Sequence, residues 1–369
     1  MEGVRNLSNA LIALGHQVTI ATLDAPGTYW LEGWSPSVVP LGPSFHYYRF
    51  SWRALRWLHK NAETFDVVIA NGTWRFSSFA VWLALRCSST PYFIYSHGML
   101  DPYFRSFRWK EFKKAVFWYI IEHRVFRDAR AVLFTCEEER AKARNRYYPY
   151  QVYEAVVRYG VCSPPITDAH TLSLVWERFP QVRGKTICLF LGRIHPVKNC
   201  ETLIRSFANC AAANPSLHLI IAGPDEADLV NCLQNLAFSL AIRDQVTFAG
   251  PIYGDLKWAL LRSADVFLSP SHIESFCVAM VEALACGTPV VISDGIGVWR
   301  EVEQSQAGFV GSDTVEGFTA ALAQWLTLTS AERGIMRIRA QECFSNYFNS
   351  SSAAQSLLQT LQHCGVNGQ

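Results

Sequence analysis

The stretch RSADVFLSPSHIESFCVAMVEALACGTPVVIS, residues 262–293, decides the fold of this chain. It holds two short apolar runs that are typical of buried strands, 265–268 and 290–292, and a segment of helical pattern between them. The pattern predicts a helix over 276–286 with Ser275 as its N-cap. A strand, helix and strand in this order indicate a parallel sheet that is covered by helices.

Two glutamates make this unit a candidate binding site. Glu274 precedes the predicted helix, and Glu282 lies seven residues past the predicted cap, which is nearly two turns at ~100° per residue. Because the neighbours of Glu282 are apolar, its carboxylate needs a hydrogen-bonding partner, and a pair of ligand hydroxyls would serve. The first amides of the helix, at Phe276, Cys277 and Val278, favour an anion at the same place.

The spacing E-x7-E followed by A-x-A-x-G-x-P-V resembles the donor-site signature of family-4-type, retaining glycosyltransferases of the GT-B fold. In that family the first Glu contacts the donor sugar and the second contacts the nucleotide ribose. The resemblance therefore implies these roles for Glu274 and Glu282, and donor contacts for Ser275 and the amides of 276–278. The usual form is E-G-F-G, whereas residues 274–277 read E-S-F-C. The alternative is an amphipathic helix with two stray acids.

A second motif follows the predicted buried strand 185–191. The sequence G-R-x-x-x-x-K-N, with Arg193 and Lys198, resembles the diphosphate clamp of the same family. The resemblance implies that both cations stabilise the leaving nucleoside diphosphate as its charge develops. Gly223, in the turn G-P-D-E, would let the chain pass close to the nucleotide, with a plain tight turn as the alternative.

The N-terminal half carries two further candidates. A helical pattern follows Gly3 directly, whereas the resembling family has a strand and a Gly-Gly turn before that helix. We therefore expect Gly3 at the donor site, and either a start codon that is placed too late or a sheet that lacks its first strand. His97 follows the predicted strand 92–95, and the run S-H-G-M-L-D-P resembles an acceptor-side segment of a polysaccharide-assembly branch. There the matching His lies beside the reacting sugar, and a structural His that caps a strand is the alternative.

Residues 103–130 form a basic and aromatic stretch of helical pattern. It contains eight Lys and Arg residues against three acids, with aromatic residues between them. One interpretation is docking onto an anionic membrane, where a lipid-linked acceptor would be found. The other is a core helix with a solvated basic face, and the sequence leaves both open.

Composition restricts the class of protein. A chain of 369 residues suits two domains, and a composition that is 50% hydrophobic and 17% charged is globular. The net charge of +2 is too balanced to indicate a nucleic-acid partner. No apolar run approaches the ~18 residues of a membrane span, and the N-terminal residues lack signal-peptide features. Eleven cysteines without a C-x-x-C pair indicate reduced thiols in a cytoplasmic protein.

The predicted fold class is α/β of the GT-B type, in which two Rossmann-like, doubly wound parallel-sheet domains face a cleft. We assign residues 1–162 to the acceptor-side domain and 163–345 to the domain that binds the nucleotide sugar. The final helix, about 346–362, is expected to pack back on the first domain. We interpret residues 23–48 as loop and 162–184 as the interdomain connection.

The resemblance implies transfer of a sugar from a nucleotide sugar to a saccharide or lipid-linked saccharide acceptor, with retention of configuration. The setting would be exopolysaccharide or cell-envelope polysaccharide synthesis, in the cytoplasm or at the inner face of the plasma membrane. We expect no cofactor and no metal, since there is no D-x-D pair and the clamp can take the metal's electrostatic role. The residues expected to act in catalysis are His97, Arg193, Lys198 and Glu274.

Two alternatives stay open at this point. One is a nucleotide-sugar epimerase or a phosphorylase on the same fold. The other is a catalytically degenerate partner subunit, which the missing first strand and the replaced E-G-F-G glycines favour.

Overall fold

The computed structural model describes residues 2–28, 34, 36–46, 48–100, 108–144, 146–166 and 168–366. The chain divides into an N-terminal unit, Met1–Gly160 with Ser350–Gln369, and a C-terminal unit, Val161–Asn349. The division at Gly160 lies two residues before the predicted boundary at 162. Each unit has its own hydrophobic core, so each is stabilised by burial of its own apolar side chains.

The C-terminal unit is built on a fully parallel sheet with the strand order β12-β11-β10-β7-β8-β9. Its inner strands are continuous apolar runs that are buried on both faces, whereas the edge strands are half-buried. The strands are β7 (Thr186–Leu191), β8 (Leu217–Ala222), β9 (Val246–Gly250), β10 (Val266–Ser269), β11 (Val290–Ser293) and β12 (Gly308–Gly311).

Helices cover this sheet, and several begin at caps that the sequence supplies. Asp168 caps α7, and Thr329 forms a reciprocal capping box with Glu332 at α14. The helices of the C-terminal unit are α7 (Ala169–Arg178), α8 (Cys200–Ala211), α9 (Val230–Ser239), α10 (Gly254–Ser263), α11 (Val278–Ala285), α12 (Trp299–Gln304), α13 (Val315–Leu326) and α14 (Ser330–Cys343).

Two local predictions for this unit were wrong. The final helix, expected at about 346–362, is α15 (Ser350–His363), and a π-helical segment at Phe344–Phe348 and an extended Asn349 separate it from α14. Helix α7 lies inside 162–184, which we interpreted as a connection. Ser275 does not cap a helix, since α11 begins at Val278 with Cys277 as its N-cap.

The N-terminal unit contains two parallel sheets in its described part. One pairs β1 (Thr19–Thr22) with β2 (Ser37–Pro40), and the other has the order β3-β4-β5-β6. Strand β2 lies in a segment that we predicted to be loop, since its four residues include Pro40 and are flanked by turn formers. The second sheet consists of β3 (Val68–Asn71), β4 (Tyr92–Tyr95), β5 (Ala131–Phe134) and β6 (Glu154–Val156).

The helices of this unit pack on both faces of the second sheet and on each other, and α1 lies against α15. The stretch predicted as one helix over 103–130 is divided: α4 passes into a π-helical segment, Trp118–Glu122, and then into α5. Residues 103–107 of that prediction lie outside the described residues. The helices are α1 (Glu2–Ala13), α2 (Trp52–Asn61), α3 (Phe76–Leu85), α4 (Arg108–Phe117), α5 (His123–Arg127) and α6 (Glu137–Arg144).

The predicted pair of Rossmann-like parallel-sheet domains is confirmed. None of the helices in the described part of the chain combines the length and the apolarity that crossing a membrane requires.

Candidate functional site

The strand order of the C-terminal unit fixes where a ligand would bind. Numbered from β7, the order β9-β8-β7-β10-β11-β12 is 3-2-1-4-5-6, so the strand order reverses between β7 and β10 while all the strands stay parallel. Open α/β sheets bind ligands at this reversal, outside the carboxyl ends of the strands. The loops that leave β7 and β10 here contain the two predicted motifs, 192–199 and 270–277.

Lys198 and Glu274 meet at this edge as an ion pair. The Nζ of Lys198 lies 2.6 Å from Oε1 of Glu274, and their side chains are 13% and 19% exposed. Burial lowers the pKa of Lys198, but the Glu274 carboxylate outweighs this effect and the net pKa is above its usual value. Lys198 is therefore charged at neutral pH, and the positive charge expected from the clamp motif is present beside the carboxylate.

The loop after β11 holds Glu274 in place. The amide of Glu274 donates to the carbonyl of Gly295 at 3.0 Å, and the amide of Gly297 donates to the Glu274 carbonyl at 2.7 Å. A Cβ at Gly295 would come within 2.4 Å of the carbonyl oxygens of Ser271 and His272, so only glycine fits there. The position of Glu274 is thus set by backbone contacts from a third loop.

The two replaced glycines of the E-G-F-G form have different surroundings. Cys277 has φ −76°, a conformation that any residue adopts, so its substitution for glycine causes no backbone strain. Its thiol is buried, and burial raises its pKa to about 12, so it is neutral. Ser275 and Phe276 form the turn that precedes α11, and the Phe276 ring packs edge-on against Phe348. Val278 begins the helix and is 40% exposed.

Glu282 is buried on α11, and its partner comes from another helix. The Nζ of Lys257, on α10, lies 2.7 Å from Oε1 of Glu282. The same ammonium lies 4.1 Å from the ring centroid of Trp258. Lys257, a residue of the same unit, is therefore one partner of the Glu282 carboxylate.

Arg193 is directed toward solvent and pairs with Glu226 rather than with Glu274. Its Nη1 lies 2.7 Å from Oε2 of Glu226, and both side chains are largely exposed. Arg193 nevertheless lies close enough to Lys198 to be among the charges that lower its pKa. The two cations of the motif share one loop, but in this structure they contact different carboxylates.

Gly223 is required by a close backbone approach. It has φ +147°, and a Cβ there would lie 1.8 Å from the carbonyl oxygen of Gly192. The loops after β7 and β8 are joined here, since the amide of Ile194 also donates to the carbonyl of Pro224 at 2.8 Å. Gly223 thus fixes the loop that carries Arg193 and Lys198.

The N-terminal unit has a second candidate site around His97. Its Nε2 lies 3.0 Å from Oδ1 of Asn71, and its ring stacks on that of Tyr95 with centroids 4.9 Å apart. His97 has φ +48°, an uncommon conformation that is frequent at functional sites. Burial lowers the pKa of His97 to about 4, so the imidazole is neutral at neutral pH.

Gly3 lies against the same cluster through Tyr159, the residue that precedes Gly160. A Cβ at Gly3 would come within 1.3 Å of the Tyr159 hydroxyl, and the Tyr159 ring stands edge-on to His97 with centroids 5.7 Å apart. The space beside Gly3, which the resemblance assigns to the donor, contains the Tyr159 phenol in this structure.

Sequence reasoning missed several residues that the structure brings to these sites. Asn71 ends β3 at the same sheet edge as His97, so the rule that ligands bind at carboxyl ends could have found it. No pattern in the sequence indicates Lys257, because its contact with Glu282 joins two residues of different helices that are 25 positions apart. Glu139, which contacts the residues on both sides of His97, lies in an acidic helix start that is ordinary by pattern.

An apolar surface lies along α4 and the π-helical segment. Phe112 is 59% exposed, Tyr119 is 65% exposed and Ile120 is 52% exposed, with Val116 on the same face. Phe112, Val116 and Ile120 line a shallow groove of about 360 Å³ together with Lys113, Phe117 and Ile121. We call Phe112, Val116, Tyr119 and Ile120 the exposed apolar face.

Two protein-family models together match both halves of the chain. The family model for group 1 glycosyl transferases matches residues 177–342, and that for the glycosyl transferase 4-like domain matches residues 2–160. D-inositol 3-phosphate glycosyltransferase of Rhodococcus erythropolis is 31% identical over 191 residues, which are 50% of this chain and 42% of that protein. The chain thus aligns with less than half the length of this curated relative.

Solved structures share the fold across the whole chain. Anabaena Alr3699/HepE in complex with UDP and glucose has a TM-score of 0.75 at 18% identity, covering 98% of this chain and 97% of that one. A glycosyltransferase from Rickettsia africae has a TM-score of 0.78 at 14% identity, covering 99% and 95%. At such identities the likeness shows the fold alone. Because the two family models match both halves, the chain belongs to the group 1, family-4-type glycosyltransferases, and its fold is GT-B.

Proposed function

We propose that this chain transfers a sugar from a nucleotide-sugar donor to a saccharide or lipid-linked saccharide acceptor, with retention of configuration. Metal independence is part of this proposal, as is a role in exopolysaccharide or cell-envelope polysaccharide synthesis. The observation that carries the proposal is the Lys198–Glu274 pair, which lies where the strand order of the C-terminal sheet reverses.

The pair suits a donor because its two charges have separate tasks. As the bond between the sugar and the diphosphate breaks, negative charge grows on the leaving group, and the Lys198 ammonium is available to stabilise it. Glu274 can accept hydrogen bonds from sugar hydroxyls while it keeps Lys198 compensated. Since the two groups already lie 2.6 Å apart, little reorganisation accompanies binding.

Neighbouring groups extend this site. The N-terminus of α11 is the kind of place that binds a phosphate, and Glu282 on the same helix offers a carboxylate to the ribose hydroxyls. Arg193 lies on the same loop as Lys198 and would leave Glu226 to reach the diphosphate. Gly223 and residues 275–278 complete the donor contacts that we propose for the C-terminal unit.

His97 is the proposed acceptor-side group. Its imidazole is neutral because its pKa is about 4, so it acts as a hydrogen-bonding group and not as a cation. If Nε2 carries the proton and donates to Asn71, Nδ1 is an acceptor that can orient a sugar hydroxyl.

A first experiment tests the donor site. HepE binds UDP and UDP-glucose in its solved structures, so uridine nucleotides are the first to test, followed by GDP and ADP. Isothermal titration should give saturable binding of one nucleoside diphosphate. We expect Lys198→Ala to weaken it by about tenfold to a hundredfold, the worth of a charge-assisted hydrogen bond. Lys185→Ala is the matched control, since exposed Lys185 precedes the same strand at its opposite end.

Turnover then separates the alternatives. Transfer to an acceptor with the donor's anomeric configuration, read from the product by NMR, supports the proposal. Epimerised nucleotide sugar, or sugar phosphate formed from a saccharide and phosphate, would support an epimerase or a phosphorylase. Binding without turnover on a broad acceptor panel would support a catalytically degenerate subunit.

The exposed apolar face supports a membrane location for the acceptor. Between residues 112 and 128 the sequence has four Lys and Arg residues against two acids, of which Glu122 is buried and Asp128 pairs with Arg127. Exposed apolar side chains beside Lys and Arg residues are complementary to an anionic lipid surface. We therefore propose peripheral docking on the inner face of the plasma membrane, with a lipid-linked acceptor.

Vesicle sedimentation tests this part of the proposal. We expect binding to phosphatidylglycerol vesicles and weak binding to phosphatidylcholine vesicles. Phe112→Ser with Ile120→Ser should abolish the difference, whereas Phe238→Ser should not, since Phe238 is also exposed, at 67%, but lies on α9 of the C-terminal unit. Equal sedimentation with both lipids, or an equal loss in the Phe238 control, would contradict it.

A further inference from the structure

One buried carboxylate contacts the chain on both sides of His97. Oε1 of Glu139 accepts a hydrogen bond from the amide of Gly98 at 2.6 Å and another from the hydroxyl of Ser96. Oε2 accepts from the amide of Thr135 at 2.8 Å and from its hydroxyl at 2.6 Å. Glu139 is 4% exposed, so this carboxylate is directed by these four neutral donors.

Helix capping accounts for only half of this arrangement. Glu139 is the third residue of α6, and a glutamate at that position commonly turns back to the chain just before its helix, as Oε2 does to Thr135. Oε1 is not needed for the cap. It reaches a different loop, more than 40 residues earlier in the sequence, and there contacts the two neighbours of a single residue.

That residue is held in an uncommon backbone conformation. His97 has φ +48°, which L-residues seldom adopt without support from their surroundings. With Ser96 and Gly98 both anchored on one oxygen, the chain between them is constrained. The constraint directs the imidazole toward Asn71 and against the Tyr95 ring.

We propose that Glu139 is a positioning residue of the glycosyl-transfer site, which acts by holding the 96–98 loop so that His97 presents its imidazole in one orientation. This inference rests on the proposed function for its effect on catalysis. Its structural half, that Glu139 sets the imidazole of His97, can be tested on the protein without any substrate.

Three variants separate this role from capping. Glu139→Gln keeps the size but has one acceptor oxygen where the carboxylate has two, so it cannot satisfy both loops. Ser96→Ala removes one contact on the His97 side. Thr135→Val is its matched counterpart, since it removes one hydroxyl contact on the capping side of the same carboxylate.

The first readout is NMR of the protein with isotope-labelled histidine. We expect the His97 ring resonances to shift in Glu139→Gln and Ser96→Ala and to stay unchanged in Thr135→Val and in Glu137→Gln, an exposed neighbour on α6. The resonance of exposed His16 serves as an internal control. Unchanged His97 resonances in Glu139→Gln, or equal shifts in Ser96→Ala and Thr135→Val, would overturn the proposal, whether or not the protein transfers sugar.

The second readout is a double-mutant cycle in transfer. Glu139→Gln should lower kcat/KM by roughly tenfold to a hundredfold in the native background, as expected for a misplaced group. In a His97→Ala background it should change kcat/KM by less than about twofold, because it acts through His97. An equal loss in both backgrounds would mean that Glu139 only supports the fold. Retained binding of the nucleoside diphosphate by Glu139→Gln would show that the donor site is intact.

Discussion

The Nζ of Lys198 lies 2.6 Å from Oε1 of Glu274, although the two residues come from loops that leave different strands of the C-terminal sheet. The pair is largely buried, and each charge is the main compensation for the other. The stability of the fold depends on the balance of the two charges, whereas diphosphate binding depends on the Lys198 cation. Two variants of this pair can therefore test stability and nucleotide affinity separately.

Lys198→Met is expected to lower the free energy of unfolding by about 2–3 kcal/mol, since it leaves the Glu274 carboxylate without its cation. Adding Glu274→Gln should restore most of that stability but not nucleotide binding. Thermal melting and isothermal titration of the single and double variants give both quantities. If the double variant regained nucleotide binding, Lys198 would not be the group that contacts the diphosphate.

The buried Glu282–Lys257 pair leads to a prediction about the sugar of the nucleotide. If Glu282 accepts from the ribose hydroxyls, the native protein should bind UDP more tightly than 2′,3′-dideoxy-UDP by about tenfold or more. Glu282→Met, which has no acceptor oxygen, should bind the two alike, and Lys257→Met should weaken UDP because the carboxylate loses its counter-charge. Glu303→Met, on the exposed side of α12, is the control. Discrimination that persists in Glu282→Met would exclude the ribose role.

Gly3 and Tyr159 should be energetically coupled. Gly3→Ala places a methyl group where the Tyr159 hydroxyl lies. Because the Tyr159 ring contacts Tyr95 and His97, it has little room to move, and we expect the free energy of unfolding to fall by about 1–3 kcal/mol. In a Tyr159→Asn background the same change should be neutral or stabilising, because alanine is the better helix former inside α1. Melting temperatures of the four proteins in this cycle test the coupling, and additive effects would argue against the contact.

Glu122 should make the stability of the N-terminal unit depend on pH. Burial raises its pKa to about 7, although its Oε1 accepts from the Trp74 amide at 3.0 Å. In the described part of the chain, its Oε2 and the nearby hydroxyls of Tyr48 and Thr73 have no hydrogen-bond partner. The neutral acid is therefore the favoured form in the fold.

A carboxyl whose pKa is raised by folding stabilises the fold fully only below its unfolded-state pKa, and this stability is lost as pH rises through about 7. Glu122→Gln is neutral at every pH. Relative to the native protein it should gain about 2 kcal/mol of stability between pH 5 and pH 8. Melting curves across this range measure the gain, and Glu63→Gln on the exposed surface is the control. A constant difference between the two proteins would mean that Glu122 does not titrate there.

Local pattern was a good guide to the elements of the C-terminal unit. The apolar runs of β7, β10 and β11 predicted strands close to their observed bounds, because strands buried on both faces need continuous apolar sequence. Helix ends were less predictable. Ser275 has the chemistry of an N-cap, but α11 starts three residues later because the backbone of Glu274 is bonded to the loop after β11.

In the candidate site, too, the sequence predicted some features and only the structure showed the others. The motifs placed Lys198 and Glu274 at carboxyl ends of parallel strands, which was enough to expect them at one edge of the sheet. Their direct pairing, and the pairing of Arg193 with Glu226, depend on side-chain distances that no spacing in the sequence expresses. The segment 103–130 gave a basic and aromatic composition, but only the structure showed that Glu122 is buried and that Phe112 and Ile120 are exposed.

By itself the sequence determined the fold class, the family and the residues that carry the donor motif, because periodic burial and short motifs are properties of contiguous chain. Only the tertiary structure decided the partners of those residues. Lys257 reaches Glu282 and Glu139 reaches the loop of His97 across 25 and more than 40 positions of sequence. A buried carboxylate must be satisfied by whichever donors the packing brings to it, and that choice is made by the topology of the sheet and not by the local pattern.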